Sequence, residues 1–266
     1  MAPDPYTHGH HDSVLRSHRW RTAENSAGYL LPLLRAGMSL LDVGCGPGTI
    51  TVDLAGLVAP GNVVGLDASA DVIAAARSDA LDRGVAATFQ VGDAYALDSA
   101  AASVDVVHAH QVLQHLSDPV AALREWGRVC RPGGVVAARD ADYAAMCWYP
   151  ANPLLDRWLV LYDSAARLNR GEPNAGRRLL AWANAAGFAD VTPSGSVWCY
   201  STPADRSWWG DLWADRITVS ALAKQLVAAG LSDDAELAAV GAAWREWAAH
   251  PDGWFLVPHG EILCRV

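Results

Sequence analysis

Short apolar runs alternate with amphipathic stretches along most of this chain, and the alternation outlines a fold. Residues 13–36 carry helical spacing that Pro32 breaks or kinks, and the apolar run from Ser39 to Val43 ends in glycines, a strand entering a loop. Beyond it the spacing predicts a helix over 49–58, a strand over 62–66, a helix over 70–83, and strands over 86–91 and 104–109. Strands separated by helices in this way favour a parallel sheet covered on both faces.

Asp118 followed by Pro119 predicts the start of the next helix, since Asp caps free amides and Pro at the first helical position sacrifices no needed N–H. That helix should run to about Cys130, and RPGG at 131–134 should turn the chain into an apolar fifth strand over 135–139. Arg177 to Ala186 reads as a helix ended by Gly187, and strands near 188–200 and 260–265 would close the sheet. The expectation is an α/β fold with a doubly wound, mostly parallel, seven-stranded sheet.

Two stretches exceed what such a core needs, 143–172 and 203–250. Turn signals open their helical parts (Asn152-Pro153, Thr202-Pro203), and helical spacing follows, as in Leu237, Val240, Trp244 and Trp247. Both are assigned to a helical cap over the ligand edge of the sheet. The expected organisation is an N-terminal arm and helices over 1–36 acting as a cofactor lid and an α/β core over 37–142. A cap insertion over 143–172, a core helix and strand over 173–202, a second cap over 203–250 and a closing strand over 251–266 complete it.

Composition narrows the function. With 266 residues there is room for one core and a lid but not for two independent enzymes. No stretch approaches the roughly 18–20 apolar residues of a membrane span, and MAPDPYTHGHHDS lacks a basic-then-apolar signal, so a cytoplasmic protein without a membrane partner is expected. A net charge of −9 without a basic stripe disfavours nucleic acid as a partner. Cys45, Cys130, Cys147, Cys199 and Cys264 are scattered, with no CxxC pair, which suits reduced thiols and no metal site; the HGHH cluster near the start is only superficially metal-like.

The chemistry concentrates in LLDVGCGPGT, 40–49, where a strand runs through Asp42 into Gly44, Gly46 and Gly48 before a helix. In open α/β sheets this strand-to-helix crevice holds nucleotide-like ligands, and glycines let the ligand approach the backbone. The next two strands also end in carboxylates: Asp67 closes VVGLD and Asp93 closes FQVGD. The first can accept both ribose hydroxyls and the second the exocyclic amine of adenine. A dinucleotide fingerprint would need glycine where Thr49 stands, and no GK[ST] follows for a phosphate loop. Each residue also has a plainer reading: the glycines as a tight turn, Asp67 and Asp93 as caps or surface acids, the histidines as packing groups.

LLDVGCGPGT, the acidic end of VVGLD, VGDA, DVVHAHQVLQHLSDP and RVCRPGG together resemble the successive motifs of class I methyltransferases, closest to the ubiquinone/menaquinone-biosynthesis-like branch. The resemblance covers about residues 38–140 and implies S-adenosylmethionine as cofactor, leaving S-adenosylhomocysteine. It places Asp42, Gly44, Cys45, Gly46 and Gly48 at the amino-acid half of the cofactor, Asp67 and Ala68 at the ribose, Gly92, Asp93 and Ala94 at the adenine, and His110 and Gln111 beside the reacting end. The N-terminal arm, with Tyr6, His8, His10, His11, His18, Arg19 and Arg21, is expected to lie over the cofactor, Tyr6 or Arg21 near the methionine carboxylate, or else to be a solvated tail.

A sulfonium methyl is already activated, so the protein mainly aligns the reactants and excludes water. If a proton must leave the acceptor, the candidates near the ends of the fourth and fifth strands are His110, His115, Asp140, Asp142 and Tyr143, with Tyr143 and His110 preferred. Ten of the twelve tryptophans lie at or beyond Trp148, which points to an apolar or aromatic small-molecule acceptor, although Trp158, Trp182, Trp244 and Trp247 suit helix packing equally. Trp148 and Tyr149, in a loop after the fifth strand, are expected in the acceptor pocket with Tyr143, His115 and Asn169, and Glu172 near its closure. The chain is expected to be a monomer or homodimer. Rival readings are an NAD-dependent oxidoreductase on the same fold, a cofactor-binding scaffold without turnover, and a peptide or protein methyltransferase.

Overall fold

The computed structural model describes residues 20–266. Tyr6, His8, His10, His11, His18 and Arg19 lie outside the described residues.

Five parallel strands carry the first half of the chain: β1 (Leu40–Val43), β2 (Val63–Asp67), β3 (Thr88–Val91), β4 (Val104–His110) and β5 (Cys130–Ala141), side by side in the order β3-β2-β1-β4-β5. β1 is central and buried at all four positions, which is why its sequence runs apolar instead of alternating. Its one polar residue, Asp42, accepts from Thr51 Oγ1 at 2.5 Å and from His108 Nδ1 at 2.7 Å. The buried charge is thereby hydrogen-bonded on both oxygens, as burial requires.

Before the sheet, the described residues hold a five-residue helix, α1 (Ala23–Ala27), and a 3-10 turn at Leu31–Leu33 that contains Pro32; residues 13–19 of the expected helical stretch lie outside the described residues. Helices α2 (Thr49–Val58), α3 (Ala70–Asp82) and α4 (Pro119–Val129) join the parallel strands. Asp118 Oδ1 accepts from Ala121 N–H at 3.0 Å to cap α4, as the sequence predicts. α5 (Pro153–Leu168) follows in the first cap stretch, and α6 (Leu179–Ala186) ends at Gly187 with φ +102°.

The far side of the sheet departs from expectation. β8 (Trp254–Arg265) is twice the length foreseen and runs antiparallel between β5 and β7 (Asp190–Tyr200). β5 reaches only as far as His259 on β8, and after a 3-10 turn at Tyr143–Ala145 the chain resumes pairing as β6 (Cys147–Tyr149) against Trp254–Leu256. The sheet therefore has eight strands, not seven. Trp148 and Tyr149 stand in a strand rather than a loop, because the exposed edge of β8 needs partners for its backbone groups.

Helices α5, α7 (Pro203–Val219), α8 (Ala221–Ala228) and α9 (Asp234–Ala249) pack with the cap-side ends of β7 and β8 into a second core rich in tryptophan. Trp158, Trp213 and Trp244 have no exposed surface, and the Trp158 ring lies 4.6 Å from that of Trp213 and 4.9 Å from that of Trp244, both edge-on. Such pairs add about 0.5–1.5 kcal/mol each beyond area burial. Trp158, Trp244 and Trp247 are thus packing residues of the cap. Among the described residues no helix is long and apolar enough to cross a membrane.

Candidate active site

At the C-terminal ends of β1, β2 and β4 the sheet opens into a cavity of about 460 Å³. Its floor is the loop after β1, where Gly44 and Gly46 take φ +68° and +56°. A Cβ on Gly44 would lie 2.4 Å from Val112 Cγ2, so only glycine lets the loop close against the segment after β4. The Cys45 N–H ties the loop to β2 through Leu66 O at 2.9 Å. Burial pushes the Cys45 thiol far up, which leaves it a packing group and not a nucleophile. Gly48 lies outside the cavity wall: with φ +83° it begins α2, and a Cβ there would lie 2.7 Å from the Phe89 ring.

Asp67, at the end of β2, lines the cavity with Ala68 and Ser69. Its Oδ2 accepts from Gly46 N–H and its Oδ1 from Ser69 N–H, both at 3.0 Å. A carboxylate holds about four acceptor positions, so it braces the glycine loop and retains capacity for hydroxyl donors. Gly92 and Ala94 also line the cavity, whereas Asp93 is exposed outside its wall and accepts from Tyr95 N–H at 2.9 Å. Asp42 reaches the wall but its oxygens are engaged by Thr51 and His108, which assigns it to joining β1, α2 and β4.

The opposite wall is a polar relay. Gln111 follows β4 in the left-handed region, φ +55°, and its N–H donates to Arg139 O at 2.7 Å. Its Oε1 accepts from the Arg21 guanidinium at 2.6 Å, so its Nε2 is the donor to His259 Nε2 at 2.9 Å, and His259 Nδ1–H donates to Val257 O at 2.9 Å. This fixes His259 as a neutral imidazole, and burial with the nearby Arg139 and Arg21 charges pushes its pKa well down. His110 is buried in the same wall, with both ring nitrogens lacking a hydrogen-bond partner. Burial, and then Arg21 and Arg139, push its pKa well down. His115, also in the wall, is brought down to about 3 by desolvation and Arg21.

Arg21 and Gln111 are shared with a second, nearly closed cavity of about 20 Å³, the space of one water. Its wall is aromatic, with Trp20, Tyr143, Trp198, Tyr200, Trp208 and Trp209, and Arg216 from α7 completes it. Tyr143 stacks on Tyr162 at 3.9 Å, and burial raises its pKa, which keeps the phenol protonated. Of the other residues expected at the acceptor, Trp148 stacks on Phe255 at 5.5 Å, Tyr149 is exposed and Asn169 bonds to Gln225 across the cap. None of these three lines either cavity; Trp148 and Tyr149 belong to β6 and Asn169 ends α5. Glu172 pairs with Arg178 at 2.9 Å, and Asp142 is tied to Arg177.

Trp198, Tyr200, Trp208, Trp209 and Arg216 escape the sequence reading. Trp198 and Tyr200 alternate with exposed Cys199 at the end of β7, a period-two signal that could have placed them on one face. Asp140 is buried beyond both walls; Gln114 N–H donates to its Oδ1 at 3.1 Å, its Oδ2 has no partner, and desolvation pushes it up to about 7.

The methyltransferase domain family matches residues 34–173, just over half of the 266-residue chain. An uncharacterized methyltransferase of Schizosaccharomyces pombe is 34% identical over 269 residues, covering 97% of this chain and 95% of that protein. A ubiquinone/menaquinone biosynthesis C-methyltransferase of Bdellovibrio bacteriovorus is 36% identical over 102 residues, 38% of this chain and 43% of that protein. The solved structure of phosphoethanolamine N-methyltransferase 2 from Haemonchus contortus, with phosphomonomethylethanolamine and S-adenosylhomocysteine, shares the fold at TM-score 0.55 and 17% identity, over 87% of this chain and 49% of that one. The chain belongs to the class I S-adenosylmethionine-dependent methyltransferases. It is an enzyme of that family, and the cavity over the glycine loop fits its cofactor: glycine-formed floor, a carboxylate at the end of β2, and a guanidinium in the opposite wall.

Proposed function

We propose that this enzyme methylates a small aromatic metabolite held against the aromatic wall beside Arg21 and Gln111, where the space of one water must widen to admit it, while the cofactor occupies the cavity over the glycine loop. The observation that carries the reading is the shared wall: Arg21 and Gln111 line both spaces, so an acceptor beside them is next to the cofactor cavity without passing through bulk water.

In this reading Asp67 and Ala68 hold the ribose, Gly92, Asp93 and Ala94 the adenine end, with Asp93 acting from the rim. Gly44, Cys45 and Gly46 support the amino-acid half, and Arg21 meets its carboxylate. S-adenosylmethionine supplies a methyl group already activated by a sulfonium. The chain's own residues position the acceptor and exclude water. His110, in the wall of the cofactor cavity and 5.5 Å from the Trp198 ring, is the candidate base, a weak one because its pKa is pushed well down. Tyr143, held protonated, orients the acceptor by its ring and hydroxyl.

The test is transfer of a labelled methyl group from S-adenosylmethionine to a panel of phenols and arene carboxylic acids, with His110→Ala alongside. Labelled aromatic products are expected, reduced in the variant for the phenols and unreduced for the already ionised carboxylic acids. Absence of any product from protein that binds S-adenosylhomocysteine would contradict the acceptor assignment.

A further inference from the structure

The turn after β4 forms one wall of the cavity over the glycine loop. Gln111, Val112, His115 and Leu116 line that cavity, while Leu113 and Gln114 between them are buried in the interior. Val112 also packs against Gly44, where a Cβ would find no room. The position of this turn therefore sets both the wall and the fit of the glycine floor against it. Its one regular element is a 3-10 turn of three residues, Leu113–His115, too short to hold itself in place.

Three bonds pin the turn from behind. Gln111 N–H donates to Arg139 O at 2.7 Å, Gln114 N–H donates to Asp140 Oδ1 at 3.1 Å, and Gln114 O accepts from Glu172 N–H at 2.9 Å. The first and third join backbone to backbone, so most residue types could make them; the second depends on a side chain. Asp140 has no exposed surface and stands in β5 opposite Gly260. Its backbone is closely packed, since a Cβ on Gly176 would lie 2.8 Å from Asp140 O. Its Oδ2 has no hydrogen-bond partner among the described residues, so Oδ1 carries the anchoring. A buried amide that loses its acceptor is unfavourable, and without Asp140 the turn would move to find another.

We propose that Asp140 is a positioning residue for the cofactor: through the Gln114 amide it fixes the turn after β4 and holds Val112 on the glycine loop, without touching the cofactor itself. The proposal rests on the reading that the cofactor occupies the cavity over the glycine loop. It gives Asp140 a task other than taking the acceptor's proton, in keeping with its place outside the lining of both cavities.

Calorimetric titration of S-adenosylhomocysteine into the full chain, Asp140→Ala and Asp140→Asn tests this, with a thermal melt of each protein. Asn keeps an oxygen that can accept from the Gln114 N–H, so this variant should bind within about threefold of the parent. The Ala variant should bind about tenfold or more weakly. A role confined to stability would lower the melting temperature and the number of sites titrated but leave the dissociation constant unchanged, and that result overturns the proposal. An Asn variant as weak as the Ala variant overturns it too, because the accepting oxygen would then not matter. Where Asp140→Ala does not melt cooperatively, Asp140→Ser, whose oxygen sits one bond further back, takes its place. Loss of cooperative melting in both assigns Asp140 to stability alone and ends the proposal. Failure of the unaltered protein to bind S-adenosylhomocysteine would instead overturn the reading beneath it.

Discussion

Gln111 hands a hydrogen bond to His259 across 148 residues of sequence, Nε2 to Nε2 at 2.9 Å, and does so because Arg21 occupies its other side-chain end. Three segments far apart in the chain thus meet at one amide, at a residue held in the left-handed region. Non-glycine residues keep such a conformation where the surroundings over-determine it, commonly at functional sites. Gln111→Ala removes the bonds and leaves buried His259 Nε2 without that donor. It should lower stability by about 1–3 kcal/mol. Urea denaturation of variant and parent measures this, and an unchanged midpoint would mean the relay carries no energy.

Acid should destabilise the protein before its carboxylates titrate. His110, His259 and His115 all have lowered pKa values, His115 to about 3, so between that range and the ordinary histidine value the unfolded chain binds more protons. Asp140 opposes them: raised to about 7, it is protonated in the folded state and ionised in the unfolded one over the same interval. His115 and Asp140 cancel over this interval, and the lowered His110 and His259 set the sign, so stability falls as pH drops below the ordinary histidine value. Asp140→Asn removes the opposing group and should steepen that slope by about 1.4 kcal/mol per unit. Denaturation midpoints at several pH values check both slopes, and a flat profile over this window would contradict the burial of these groups.

Gly48 should prove a packing glycine. Its φ of +83° and the 2.7 Å approach of the Phe89 ring both penalise a side chain, so Gly48→Ala should cost about 2 kcal/mol or more. A melting curve several degrees lower is the expected result. An unchanged melt with lost cofactor binding would mean that Gly48 faces the ligand after all.

The cap tryptophans separate stability from binding. Trp158→Ala should destabilise by about 3–5 kcal/mol. Tyr149→Ala, at an exposed ring, should stay within about 0.5 kcal/mol and leave acceptor turnover unaltered. Thermal melts and turnover assays on both variants make the comparison, and reduced turnover in Tyr149→Ala would return that residue to the acceptor site.

The parallel half of the sheet was legible because β1, β2 and β3 are apolar runs that end in glycine or an acid, and α4 has its cap written in sequence at Asp118-Pro119. The antiparallel half was less so. β6 is three residues long and follows a turn, so periodicity had too little to work on, and β8 passes from the tryptophan-rich core at Phe255 and Val257 to the sheet core at Ile262 and Cys264. Most residues lining the cavity over the glycine loop stand at strand ends and in the turns after them, within reach of chain-local motifs, whereas Gly48 and Asp93 fall outside its wall. The aromatic cavity gathers Trp20, Tyr143, Trp198 and the α7 residues Trp208 and Arg216 from four separate segments. No local pattern reports such a meeting, and many tryptophans of identical sequence character went into packing instead.

The most direct test is calorimetric titration of S-adenosylhomocysteine into the protein and into Asp67→Ala. Asp67 both braces the glycine loop and retains acceptor capacity toward the cavity, so the parent should bind at micromolar levels and the variant roughly 10²-fold or more weakly. Equal binding by the two proteins would remove Asp67 from the cofactor site, and no binding by the parent would contradict the placement of the cofactor in this cavity.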